Sequence, residues 1–124
     1  MSIDRERTFG LNGSKHSVLY TARARYLFEK GTGYPLSNLR AFTGEVSDVE
    51  QAHLVLAGLE GFRVQSGQKR KRWTIDEVLD DVIGDANAGD RLAIVKACTE
   101  AVTDAFGGIE TDDDDAEGKD QTTG

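Results

Sequence analysis

The sequence predicts an α+β fold: an N-terminal β-hairpin packed on a mainly α-helical bundle of about four helices, followed by a disordered acidic C-terminal tail. Three observations predict it. Asn12-Gly13 lies between alternating apolar residues, the strongest short hairpin signal because both residues tolerate positive φ. Ser47 with Glu50 and Thr74 with Glu77 each precede an apolar run, and this capping-box spacing marks helix starts. The charge is also divided unevenly. Of a net −7, residues 1–109 carry −1, from 15 acidic and 14 basic side chains, and residues 110–124 carry −6, from seven acidic residues against Lys119. One domain over 1–109 and a tail over 110–124 follow from that division.

A two-residue loop at Asn12-Gly13 pairs Leu11 with Ser14, Phe9 with His16 and Arg7 with Val18. Phe9, Leu11, His16 and Val18 then share one face, which Tyr20 continues. Thr21 to Lys30 reads as a helix with Ala22, Tyr26, Leu27 and Phe28 on its apolar side, ended by Gly31, Gly33 and Pro35. Pro35 to Phe42 reads as a connection with one or two helical turns. The helix that opens at Ser47 runs to about Leu59, and Leu54, Val55, Leu56 and Ala57 make it apolar on several sides. It is therefore expected at the centre. Gly61 to Arg72 reads as a loop.

After Thr74, residues Ile75, Val78, Leu79, Val82 and Ile83 recur at i, i+3, i+4, i+7, i+8, the pattern of an amphipathic α-helix. A last helix is expected from about Asp90 to Phe106, with a stripe at Leu92, Val95, Cys98, Val102 and Phe106, stopped by Gly107-Gly108. A fully buried stripe residue contributes roughly 1.5–3 kcal/mol, so both final helices must pack against something.

Composition excludes several classes. At 124 residues the chain supports one modest core. No run of about 18 apolar residues is present, which gives no membrane span. Met1 to Thr8 is charged and lacks the apolar centre of a signal peptide. The single cysteine, Cys98, permits no intrachain disulfide and suggests a reducing cytosol. His16 and His53 have no spacing to a metal-ligand partner, and Cys98 sits in an apolar stripe unsuited to a nucleophile. Gly10 to Lys15 lacks the spacing of a phosphate loop, and Gly31-Thr32-Gly33 follows a helix, so it offers no helix N-terminus to a phosphate. Neither an enzymatic centre nor a cofactor or metal site is expected.

Two features suggest contact with a partner. Lys69, Arg70, Lys71 and Arg72 precede Trp73, an arrangement that suits single-stranded nucleic acid. A body at −1 with an acidic tail argues against a nucleic-acid domain. The polar side of the following helix holds Asp76, Glu77, Asp80, Asp81 and Asp85 without a basic residue. It reads as a solvated face or as a docking face, either for another protein or for the basic loop of a second copy in a homo-oligomer.

The order of elements resembles the small tail assembly chaperones of long-tailed phages and gene transfer agents. The resemblance covers about residues 5–108. It is carried by the hairpin Phe9 to Tyr20, by Ala24-Arg25-Tyr26-Leu27-Phe28-Glu29 ahead of Gly31, and by Val55-Leu56-Ala57-Gly58-Leu59. It is carried further by Trp73-Thr74-Ile75-Asp76-Glu77-Val78 and by Ala105-Phe106-Gly107-Gly108. The resemblance implies a non-enzymatic factor that binds the tape measure protein in the host cytoplasm, helps the tail tube protein assemble around it, and is absent from the mature virion. In many such phages a ribosomal frameshift extends the product, and Gly118-Lys119 after Glu117 matches the residues encoded by a common slippery sequence, G-GGA-AAG. The competing readings are a structural virion component (a tail tube or head–tail joining subunit), which would be richer in strands, and a small nucleic-acid-binding regulator acting through Lys69 to Arg72.

Overall fold

The computed structural model describes residues 6–36 and 47–106. Strands β1 (Arg7–Leu11) and β2 (Ser14–Val18) form a two-stranded antiparallel sheet. The register pairs Leu11 with Ser14, Phe9 with His16 and Arg7 with Val18. Asn12 and Gly13 have φ of 52° and 79°, the positive pair that a type I′ turn demands and that matches the strand twist. Phe9, Leu11 and Val18 are buried and His16 is half-buried, so the expected face is the inward one.

Helix α1 (Ala22–Thr32) is capped by the Thr21 hydroxyl, which accepts from the Ala24 N–H. It passes through Gly31 and ends at Gly33, whose φ is 86°. Gly31 lies within the helix instead of ending it, and the His53 ring packs where a Cβ at this position would collide with it. Its inward residues are Ala24 and Phe28, while Ala22 and Tyr26 face solvent. The small Ala24 is what permits close approach to α2. The connection expected over Pro35 to Phe42 lies outside the described residues beyond Leu36.

Helix α2 (Asp48–Ser66) opens with the Ser47–Glu50 capping box and is the central element, packed against α1, β2, α4 and the segment after Thr74. It extends seven residues past the expected end at Leu59, to Ser66, so Gly61 to Ser66 are helix and not the start of the expected Gly61 to Arg72 loop, and Gly67 caps it in the left-handed conformation at φ 74°. Gly61 is not a stop. It admits the backbone of the strand-to-helix link, whose Leu19 carbonyl occupies the space of a Cβ. The Leu19 N–H donates to the Gly58 carbonyl at 3.0 Å, and the Tyr20 hydroxyl donates to the Leu54 carbonyl at 2.6 Å. The residues joining sheet to helix are thus fastened along α2 by backbone as well as by packing.

Helix α3 (Ile75–Glu77) is a single α-turn behind the Thr74–Glu77 capping box. It continues as a π-helical segment, Val78–Ile83, instead of the expected α-helix. The buried set Val78, Val82 and Ile83 is spaced i, i+4, i+5. That spacing fits the wider turn, whereas a short run of apolar residues reads equally well as 3.6-period. The Gly84 N–H closes the segment on the Leu79 carbonyl at 2.8 Å.

Helix α4 (Ala88–Phe106) begins two residues earlier than expected, where Asn87 and Asp90 exchange side-chain-to-backbone hydrogen bonds. Its inward stripe is Ile94, Ala97, Cys98, Ala101 and Val102, again i, i+3, i+4, i+7, i+8. Cys98 and Val102 lie where expected, but Leu92 is 73% exposed and Phe106 is exposed. The stripe is shifted because two alanines let α4 lie close to β1 and α2. The expected stop at Gly107-Gly108 and the tail over 110–124 lie outside the described residues. No helix among the described residues is long and apolar enough to cross a membrane.

Candidate interaction surface

The basic run occupies the loop between Gly67 and Thr74, and two carboxylates hold it in place. Glu60, on the last third of α2, is buried at 3% exposure. It accepts from Arg63 Nε at 2.7 Å, from Arg63 Nη2 at 3.0 Å and from the Trp73 backbone N–H at 2.9 Å. Burial pushes its carboxyl up, but the hydrogen bonds from Arg63 and Trp73 and the charges of Arg63 and Arg72 outweigh it. The net effect holds Glu60 below the usual carboxylate range. It is the anchor of the loop.

Glu77 is the second clamp. Arg70 Nη2 donates to its two oxygens at 3.1 and 2.9 Å, and this hydrogen bond keeps the carboxyl below its ordinary value. The Arg70 guanidinium also lies 3.5 Å from the centre of the Trp73 ring, a cation–π distance. Trp73 meets His16 edge-on at 5.8 Å, and His16 meets Phe9 at 5.4 Å. A ladder of Arg70, Trp73, His16 and Phe9 therefore joins the loop to the inward face of the hairpin. Burial, and then the charge of Arg70, lower the His16 pKa.

The structure brings together two of the residues singled out in the sequence as separate candidates, Arg70 and Glu77, and uses them on each other. Trp73 is half-buried against His16. Asp76, Asp80 and Asp81 are exposed on the α3 and π-helical side, where Asp85 accepts from Asn12 Nδ2 at 3.4 Å. Lys69, Lys71 and Arg72 are exposed on the loop; among the described residues none makes a close ion pair, although the charges of Arg72 and Lys71 act on Glu60 and Glu77. Gly118 and Lys119 lie outside the described residues. Sequence reasoning missed Glu60 and Arg63. Their i, i+3 spacing is compatible with a helical ion pair, but it signals nothing about burial.

Elsewhere the ionisable groups tie elements together. Arg7 Nε donates to Asp104 at 2.7 Å, joining β1 to the end of α4. Arg91 donates to Asp48 at 2.6 Å and to Gln51 at 2.7 Å, joining the start of α4 to α2. Cys98 is buried beside the Tyr20 hydroxyl, and burial pushes its thiol up to about 12, a value that leaves essentially no thiolate at neutral pH. Among the described residues no three His, Cys, Asp or Glu side chains are grouped to hold a metal ion.

Among the described residues, the large apolar side chains left exposed are Tyr26 on α1, Val49 and Val64 on α2, and Leu92 and Phe106 on α4. They sit on the outer sides and ends of the three long helices. No protein-family model, curated protein or solved structure matches this chain.

Proposed function

We propose that this protein is a non-enzymatic tail assembly chaperone, which binds the helix-rich tape measure protein in the host cytoplasm and assists assembly of the tail tube around it. The observation that carries the reading is where the helices leave apolar surface. Tyr26, Val49, Val64, Leu92 and Phe106 are large, outward-facing and distributed over three helices, while the buried charges are engaged in holding the fold. A client with long amphipathic helices stays soluble through many weak apolar contacts, and such dispersed side chains supply contacts of that kind. The likeness in element order to the tail assembly chaperones supports the same reading.

Copurification tests it. The chain is co-expressed with the longest helical protein encoded near it, and the soluble fraction is fractionated by size. A soluble client that elutes with the chain supports the proposal, and a client that is equally soluble and elutes alone overturns it.

A further inference from the structure

Four elements bring basic side chains and Phe106, the last described residue before the acidic segment, to one end of the molecule. Phe106, the last described residue of α4, lies 5.0 Å from the Arg25 guanidinium in the first turns of α1. Ala24, next to Arg25, packs against Gly61 of α2. Glu60, next to Gly61, binds the Trp73 N–H at the end of the basic loop. The loop and the end of α4 therefore flank the same α1–α2 crossing, within about two helix spacings, on the order of 20 Å.

The charge at this end is unbalanced. From Gly61 to Trp73 the sequence has five basic residues and no acidic one. Arg63 and Arg70 are engaged by Glu60 and Glu77. Lys69, Lys71 and Arg72 project from the loop, and Arg25 is exposed beside Phe106. On the far side of Phe106, five residues lead to Asp112, and five of the six residues from Asp112 to Glu117 are acidic. A chain reaches at most about 3.3–3.6 Å per residue, so Asp112 can lie up to roughly 20 Å from Phe106 and Glu117 up to roughly 40 Å. The acidic segment is long enough to span the gap. Exposed Asp76, Asp80 and Asp81 repel it from the α3 side.

We propose that Lys69, Lys71, Arg72 and Arg25 form the docking surface for this chain's own acidic segment, Asp112 to Glu117. Each exposed ion pair is weak, but the tether holds the partners at a high effective concentration. The contact is electrostatic and is screened as salt shortens the Debye length, from about 10 Å at 0.1 M to about 3 Å at 1 M. The inference is independent of the chaperone reading.

Paramagnetic quenching in the full chain tests it. A nitroxide is attached through Ala116→Cys, with buried Cys98 left unlabelled, and amide intensities are read in isotope-enriched protein. In low salt the amides from Lys69 to Arg72 should lose more than half their intensity while those at the start of α4 keep theirs. Molar salt, Asp112–Asp115→Asn, or Lys69→Ser with Lys71→Ser and Arg72→Ser should each restore the loop signals. Undiminished loop amides in low salt overturn the proposal, as does quenching that survives removal of either charge set. Quenching seen as strongly when labelled and enriched chains are different molecules overturns it too, since the segment would then dock on a second copy.

Discussion

Replacing Glu60 by alanine removes the group that fastens the basic loop to α2. The side chain is 3% exposed and accepts three hydrogen bonds, two from Arg63 and one from the Trp73 N–H. A hydrogen bond to a charged group contributes about 1.5–3 kcal/mol, and the Trp73 N–H has no other acceptor among its described contacts. Arg63 is 21% exposed and can turn to water, so its share is discounted to about 1 kcal/mol. The expected loss is about 3 kcal/mol, which at a urea m-value near 1.5 kcal/mol per molar moves the midpoint by about 2 M. The Glu60→Ala and Arg63→Ala changes should be strongly non-additive, because each breaks the same pair. Urea unfolding followed by circular dichroism measures both. A midpoint within about 0.3 M of the native one, or additive single changes, would refute the assignment of Glu60 as anchor.

Acid should act on the same contact: the Glu60 folded-state pKa lies below 4.5, so its stabilisation is complete above that value and lost as pH falls through the folded value, a loss that Glu60→Ala should lack. His16 has a folded pKa below 6.5, so its contribution is present above pH 6.5 and lost as pH falls below it; His16→Phe should reduce the slope of stability between pH 7 and 5, leaving the part due to His53, which burial also lowers, and an unchanged slope would contradict the ladder. Gly61→Ala should destabilise by about 2 kcal/mol despite better helix propensity, since the added methyl meets the Leu19 carbonyl; thermal melting reads the loss. On α4, Ile94→Ala should cost about 2–5 kcal/mol and Leu92→Ser less than about 0.5 kcal/mol, and a reversed order in urea titrations would mean that the inward face is misplaced.

The hairpin was legible because two independent signals fix its register. The turn at Asn12-Gly13 and the alternation of Phe9, Leu11, His16 and Val18 select the same pairing, and a shift of one residue would expose them all. The capping boxes at Ser47 and Thr74 were legible for a similar reason, since each is a local exchange of hydrogen bonds that needs no tertiary contact. Features that depend on neighbours were not. Gly61 reads as a stop until the Leu19 backbone is known to cross it, and the α4 face was misread because Leu92 and Phe106 outrank Ala97 and Ala101 in hydrophobicity but not in closeness of packing. The π-helical turn is invisible to a short periodicity. For the surface, the residue types in Lys69 to Arg72 and in Asp76 to Asp81 were apparent, but the Arg70–Glu77 pair and the Glu60 anchor depend on how the chain folds back.

The central functional claim is that outward apolar side chains on the helices hold a helical partner. Co-expressing the proposed client, the longest helical protein encoded near this chain, with the native chain and with a Val64→Ser, Leu92→Ser variant tests it most directly, once urea midpoints establish that both chains are equally folded. The account predicts several-fold less soluble client with the variant, and an equal yield of soluble client from the two chains would contradict it.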